Sequence, residues 1–177
     1  MTLGPDWVPG PDGLPFRRAA RVVLLDEADR VLLLRGHDLD QPERSWWFTV
    51  GGGIDAGEDA RAAAVREVRE EVGLSLARED LVGPVFERSA VFDFLAQHVR
   101  QDELIFLARV AAFDVVAVDR SAWTEVEVAQ LDELRWWELD ELEREQGEVY
   151  PEGLVELLRP LLGGWDGVTV RLAEGAG

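Results

Sequence analysis

Strands that precede, separate and follow helices along 177 residues predict an α/β fold, an α/β/α sandwich in which helices cover both faces of a mixed β-sheet. Two observations carry that expectation. Short apolar runs with β-branched residues recur between turn residues, and one alanine-rich helical stretch opens behind a run of glycines. The hydrophobic fraction of 47% with seven tryptophans supplies enough apolar surface for a full core in a chain of this length.

The elements follow in order. Residues 1–16, with Pro5, Pro9, Gly10, Pro11, Gly13 and Pro15, read as an irregular arm. Residues 18–25 and 30–35 are apolar runs joined by Asp26-Glu27-Ala28-Asp29, which predicts a hairpin. A polar loop over 37–45 leads to a strand at 46–50, and this strand runs into Gly51-Gly52-Gly53. Residues 82–94 and 103–113 predict a second strand pair around a polar connection at 97–102. An acidic connection at 121–132, a strand at 134–137 and a short helix at 140–145 come next. A helix over 150–162 opens with Pro151 near its first position, and a last strand at 168–172 sits in a tail. The domain reading is an arm (1–16), a catalytic domain (17–163) and a tail (164–177).

The densest information lies between Gly52 and Leu74. Gly52 is followed after five residues by Glu58, then after seven by Arg66-Glu67, an aliphatic Val68, Glu70-Glu71, Gly73 and an aliphatic Leu74. Asp55 to Asp59 supply turn residues and a helix start, and Gly73 supplies a stop. At about 100° per residue, Val65, Val68 and Val72 share one face while Glu67, Glu70 and Glu71 gather roughly opposite, with Ala63 leaving open space beside them. Most glutamate-rich helix faces are simply solvated. Here Glu67 and Glu71 are like charges four residues apart, a destabilising pair on a bare helix, and Arg66 and Arg69 lie toward the flank. A bound cation resolves that repulsion. Hard oxygen ligands suit Mg²⁺ or Mn²⁺, and Mg²⁺ is typically shared between carboxylates, waters and substrate phosphates.

This pattern resembles the signature box of the Nudix hydrolases, with every fixed position filled. The resemblance covers roughly 17–162 and includes the Arg135-Trp136-Trp137 strand with its Leu139-Asp140-Glu141-Leu142 turn. It implies a Nudix-like α/β/α sandwich and hydrolysis of a nucleoside diphosphate linked to another moiety. Carried onto this chain, it makes Glu67 and Glu71 the principal metal ligands, Glu70 a third ligand or a partner through water, and the Gly52 or Gly53 carbonyl a completing group. Arg66 would orient the glutamates with its fork, and Glu58 would anchor the loop to the helix. The general base would come from the box or from elsewhere, with Glu103, Glu125 and Glu127 as candidates; 36 acidic residues make any single one a weak signal. Relatives often carry proline before the glycines, where this chain has Val50, a less rigid entry to the loop.

Trp46, Trp47, Phe48, Phe92 and Phe94 fall near the expected cleft mouth, and Trp47, Phe48 and Arg35 are taken as substrate-binding. Core filling is the ordinary role of such aromatics, and one ring of each tryptophan pair should point inward. Arg35, Arg44 and Arg88 are candidates for phosphates, and His37 and His98 read as loop residues.

The net charge of −18 argues against a broad nucleic-acid or anionic-lipid surface. No stretch approaches the length of a membrane span and no signal pattern opens the chain. The absence of cysteine removes thiol chemistry and fits a cytoplasmic location. The expected partner is a small-molecule nucleotide diphosphate, with no stable nucleic-acid partner and with a homodimer by analogy. The competing reading is a catalytically silent nucleotide-binding regulator, against which the intact acids argue. An isoprenoid diphosphate isomerase would be expected to use a cysteine, and RNA decapping would favour a basic stripe.

Overall fold

A computed structural model describes residues 3–39, 41–173 and 175–176. In chain order its elements are β1 (Val8–Pro9), β2 (Pro15–Leu25), β3 (Val31–His37), β4 (Ser45–Phe48), β5 (Val50–Gly53), α1 (Ala60–Val72), β6 (Val82–Phe94), β7 (Gln97–Arg109), α2 (Glu125–Gln130), β8 (Leu131–Trp137), α3 (Leu139–Leu142), β9 (Glu148–Tyr150), α4 (Leu154–Leu158), β10 (Val170–Arg171) and β11 (Gly175–Ala176). The strands join in one sheet with the order β10-β6-β7-β2-β3-β4-β9; β1 and β5 also pair with β2, β8 with β3 and β11 with β6. β2 runs parallel to β7 while β6 and β7 are antiparallel, so the sheet is mixed, as the sequence predicts.

Alternation along the central strands sets the layers. Ala20, Val22 and Leu24 of β2 with Leu32 and Leu34 of β3 pack under α1 through Ala64, Val68 and Val72. Their neighbours Val23, Leu25, Val31 and Leu33 face the other way, against Leu139, Leu142, Leu154 and Leu158 of α3 and α4. Each strand is therefore apolar on both sides, as a sheet covered on both faces requires.

Several expectations need correction. The single strand expected at 46–50 is two short strands that change partner at Thr49: β4 pairs with β3, β5 with β2. That switch curls the sheet and brings the glycines beside α1. The expected polar connection at 97–102 belongs to β7; Leu95 and Ala96, both at positive φ, make the turn instead. Residues 121–132 contain α2, opened by a capping box in which Thr124 and Glu127 exchange hydrogen bonds. The helix expected over 150–162 begins only at Leu154, because residues 148–150 extend as β9 alongside β4. The N-terminal arm is partly ordered by pairing, with Val8 opposite Phe16.

Candidate active site

α1 starts with the Asp59 side chain accepting the backbone N–H groups of Arg61 and Ala62, and ends where Gly73 adopts φ 71. The buried residues of the helix are Ala63, Ala64, Glu67, Val68, Glu71 and Val72. Two glutamates thus point into the protein beside the valines. The space expected beside Ala63 is filled, because α1 lies directly on the glycine strand. A Cβ at Gly52 would lie 2.8 Å from the Glu67 carboxylate, so only glycine permits this approach.

Glu67 and Glu71 are 7% and 3% exposed. The Gly51 N–H donates to Glu71 Oε2 at 2.7 Å, and the Trp123 indole N–H donates to the Glu71 carbonyl at 3.1 Å. Burial, then the charge of Glu67, raises the Glu71 carboxyl well above its ordinary range, and burial also raises Glu67. The third acid beside them is Glu127 of α2: one carboxylate oxygen from each of Glu67, Glu71 and Glu127 lies within 4.8 Å of the others. This set of oxygen donors, two buried and one half-buried, fits a hard divalent cation.

Glu70, expected as a third ligand, is placed differently. One residue before Glu71 on the helix, it turns toward the half-exposed flank and accepts from Arg66 Nη1 at 3.1 Å. Arg66 is the hub of that flank. It donates to Glu67 at 2.7 Å, to both oxygens of Glu58 at 3.2 and 3.0 Å, and to the Gly53 carbonyl at 2.8 Å. Burial opposes its charge, but these carboxylates outweigh burial and raise its pKa. Glu58 also accepts from the Asp55 N–H at 3.2 Å, so it ties loop to helix.

A cavity of about 480 Å³ opens over these acids. Its lining includes Arg17, Arg21, Arg44 and Arg88 together with Trp7, Trp46, Phe48, Phe92, Phe94 and Tyr150. Glu103 lies in its floor, 2% exposed, and accepts from Arg21 Nε at 2.6 Å, Arg88 Nε at 2.8 Å and Gln101 Nε2 at 2.6 Å. Burial alone would raise its carboxyl, but the two guanidiniums hold it down at about 2. Glu103, a candidate general base in the sequence, is thus held between two guanidiniums, where accepting a proton would break two buried ion pairs. Glu125 caps nothing in this cluster, whereas Glu127 belongs to it.

Two substrate-binding expectations are also corrected. Trp47, 6% exposed, packs edge-on against Trp137 with centroids 5.0 Å apart and belongs to the core under α3 and α4. Its neighbours Trp46 and Phe48 alternate into the cavity. Arg35 faces away with Trp47, donating to Ser45 Oγ at 3.1 Å and pairing loosely with Glu133. His37 and His98 lie at the exposed surface on Asp132 and Asp93. Sequence reasoning passed over Arg17 and Arg21, although two charges an even number of residues apart share one face of a strand and are a readable signal. Nothing local marked Asp6, Trp7 or Tyr150.

Comparison with known proteins agrees with this geometry. The NUDIX domain family model matches residues 15–158. The RNA pyrophosphohydrolase of Acidiphilium cryptum is 31% identical over 141 residues, covering 75% of this chain and 82% of that protein. A putative 8-oxo-dGTP diphosphatase of Bacillus subtilis is 36% identical over 73 residues, 41% of this chain and 45% of that one. Among solved structures, a NUDIX hydrolase from Nitrosomonas europaea superposes with a TM-score of 0.56 at 20% identity, covering 80% of this chain and 85% of that one. The C. elegans Ap4A hydrolase in a binary complex gives 0.55 at 20% identity, with 83% and 96% covered. The chain belongs to the Nudix family and is a hydrolase of phosphoric anhydride bonds.

Proposed function

We propose that the chain is a Mg²⁺-dependent pyrophosphohydrolase, with Mn²⁺ as a substitute, that cleaves a nucleoside diphosphate linked to another moiety. The observation that carries this reading is the cluster of buried Glu67 and Glu71 with half-buried Glu127, in a cavity whose lining also includes four arginines and several aromatic rings. Those three acids would hold the cation, which when bound supplies charge neutralisation for the diphosphate and a more acidic water. Arg66 keeps Glu67 ionised and aimed, and Glu58 fixes Arg66 to the loop. Glu70 acts through Arg66. Arg21 and Arg88, which share Glu103, and Arg44, forked onto Glu148 at 3.1 and 3.0 Å, present guanidinium edges to substrate phosphates. Trp46, Phe48 and Phe92 face the nucleoside.

The relatives named above as an RNA pyrophosphohydrolase and an 8-oxo-dGTP diphosphatase support an anhydride substrate and differ on its size. The net charge of −18 favours a free nucleotide over an RNA end. The same reading places the protein in the cytoplasm without a membrane partner; among the described residues no helix is long and apolar enough to cross a membrane.

The test is incubation with Mg²⁺, and separately Mn²⁺, of nucleoside triphosphates, sugar nucleotides, dinucleoside polyphosphates and 5′-triphosphorylated RNA, with products identified by mass. Cleavage of one nucleotide class is expected. Cleavage of RNA alone would overturn the small-molecule assignment, and binding without any turnover would replace the enzyme reading with a regulator.

A further inference from the structure

The segment ahead of the family match lines the same cavity as the acids. Gly4, Pro5, Asp6 and Trp7 line it together with the β4 aromatics, from which the whole of β2 and β3 separates them in sequence. Three contacts hold the segment in place. Asp6 Oδ2 accepts from Arg17 Nη1 at 3.0 Å, and Arg17 is itself fixed by a hydrogen bond to Gln101. Val8 and Pro9 pair with Phe16 and Pro15. The Asp6 carboxylate also rests on Gly53, where any side chain would collide with it.

Trp7 is positioned by this clasp. Its ring centroid lies 4.4 Å from the Arg17 guanidinium carbon and 5.9 Å from the Phe94 centroid, and Phe94 is 5.9 Å from the same guanidinium. These distances close a nearly isosceles triangle, so the cation sits beside the ring pair and not between the rings. With planes only 24° apart, Trp7 and Phe94 make one inclined platform backed by a positive charge. Phe94 comes from the tip of the β6–β7 hairpin and Trp7 from the arm, so the platform spans two segments distant in sequence. Both rings are half-buried, and both line the cavity.

We propose that Trp7 is a specificity-determining residue of this enzyme, stacking the base of a nucleotide whose diphosphate lies over the Glu67–Glu71–Glu127 cluster, with Asp6 and Arg17 as its positioning residues. This deepens the proposed function and rests on it. An arm so placed meets the base without touching the reacting phosphorus, so it favours a diphosphate that carries a base over one that does not and leaves the chemistry to α1. Stacking tolerates every base, with preference following ring area.

The test compares two probes in the presence of Mg²⁺ by calorimetry: α,β-methylene ATP, which carries a base, and methylenediphosphonate, which does not. Wild-type protein and the Trp7→Ala and Trp7→Phe variants are titrated with both, and hydrolysis of the preferred nucleotide is followed in parallel. The expected result is that Trp7→Ala lowers the ratio of nucleotide to phosphonate affinity about 5- to 150-fold, as the loss of one stacked base implies, raises KM more than it lowers kcat, and is largely rescued in Trp7→Phe. An unchanged ratio in an active Trp7→Ala protein would overturn the stacking role while leaving the hydrolase reading intact. Equal weakening of both probes would overturn it too, by showing a wall that merely shapes the cavity. Absence of nucleotide binding and turnover in the wild-type protein would remove the hydrolase reading, and this proposal with it.

Discussion

The two sides of the cavity each bury a glutamate, and they treat it oppositely. Glu71 sits among acids with the Gly51 N–H and the more distant charge of Arg21 for relief, and its carboxyl is pushed well up by burial and by Glu67. Glu103 is as deeply buried but lies between Arg21 and Arg88, and its carboxyl is held at about 2. Residue type and burial are shared, so the neighbours alone decide. The contrast teaches that one wall is electrostatically complete and the other is not. Glu103 is part of the framework; Glu71 is left short of positive charge, the condition in which a divalent cation binds.

The strongest way to break this contrast is Glu71→Gln. Losing one anionic oxygen should lower turnover with Mg²⁺ by at least about 100-fold, since a catalytic cation is worth several kcal/mol. Mg²⁺ is expected to raise the melting temperature of the wild type, and the mutation should erase that rise. That rise corresponds to about 2.7 kcal/mol when the metal is present at 100 times its Kd. Wild-type-like turnover in steady-state assays would show that the incomplete wall is not the metal site.

Glu103→Gln should do the reverse and act on stability. Two buried guanidiniums would lose their counter-charge, at a cost of about 3–5 kcal/mol in urea unfolding. The pH dependence sharpens the same point. Because the folded pKa of Glu103 is depressed from 4.5 to about 2, its contribution is fully present above pH 4.5 and is lost as pH falls toward 2. Subtracting the unfolding free energies of Glu103→Gln from those of wild type across that window should show a difference that shrinks with acid. A stable Glu103→Gln protein with a collapsed kcat would instead make Glu103 the general base.

The smallest effect is expected outside both walls. Arg35→Ala removes a half-exposed side chain that lies away from the cavity, so KM should stay within about twofold, the range of ordinary surface substitutions. A tenfold rise in KM would extend the basic wall to β3.

What could be read from sequence divides along the same line. The acid wall is local: Gly52, Glu58, Arg66, Glu67 and Glu71 fall within one loop and one helix, and fixed spacing exposes them. Only Glu127 arrives from afar; the sequence offers it as a candidate base in the acidic connection, and nothing among 36 acids joins it to Glu67 and Glu71. The basic wall is non-local. Arg17 and Arg21 meet Gln101 and Glu103 because β2 lies parallel to β7 in the register that places Arg17 opposite Gln101 and Ala19 opposite Glu103. Gln97, His98, Arg100, Gln101 and Asp102 make a nearly all-polar run that mimics a loop in sequence, which is why residues 97–102 read as a connection. The second half of β7, with Ile105, Phe106 and Leu107, reads as strand. Trp47 failed for a related reason: which ring of an adjacent pair turns inward depends on the β4–β3 pairing, and no property of the dipeptide reveals it.

The clasp between Asp6 and Arg17 has a practical side. Gly4 to Trp7, the segment it pins, line the cavity, so a change made to this segment is a change to the nucleotide's surroundings. Kinetic constants for this protein should be compared only between preparations that keep this segment the same.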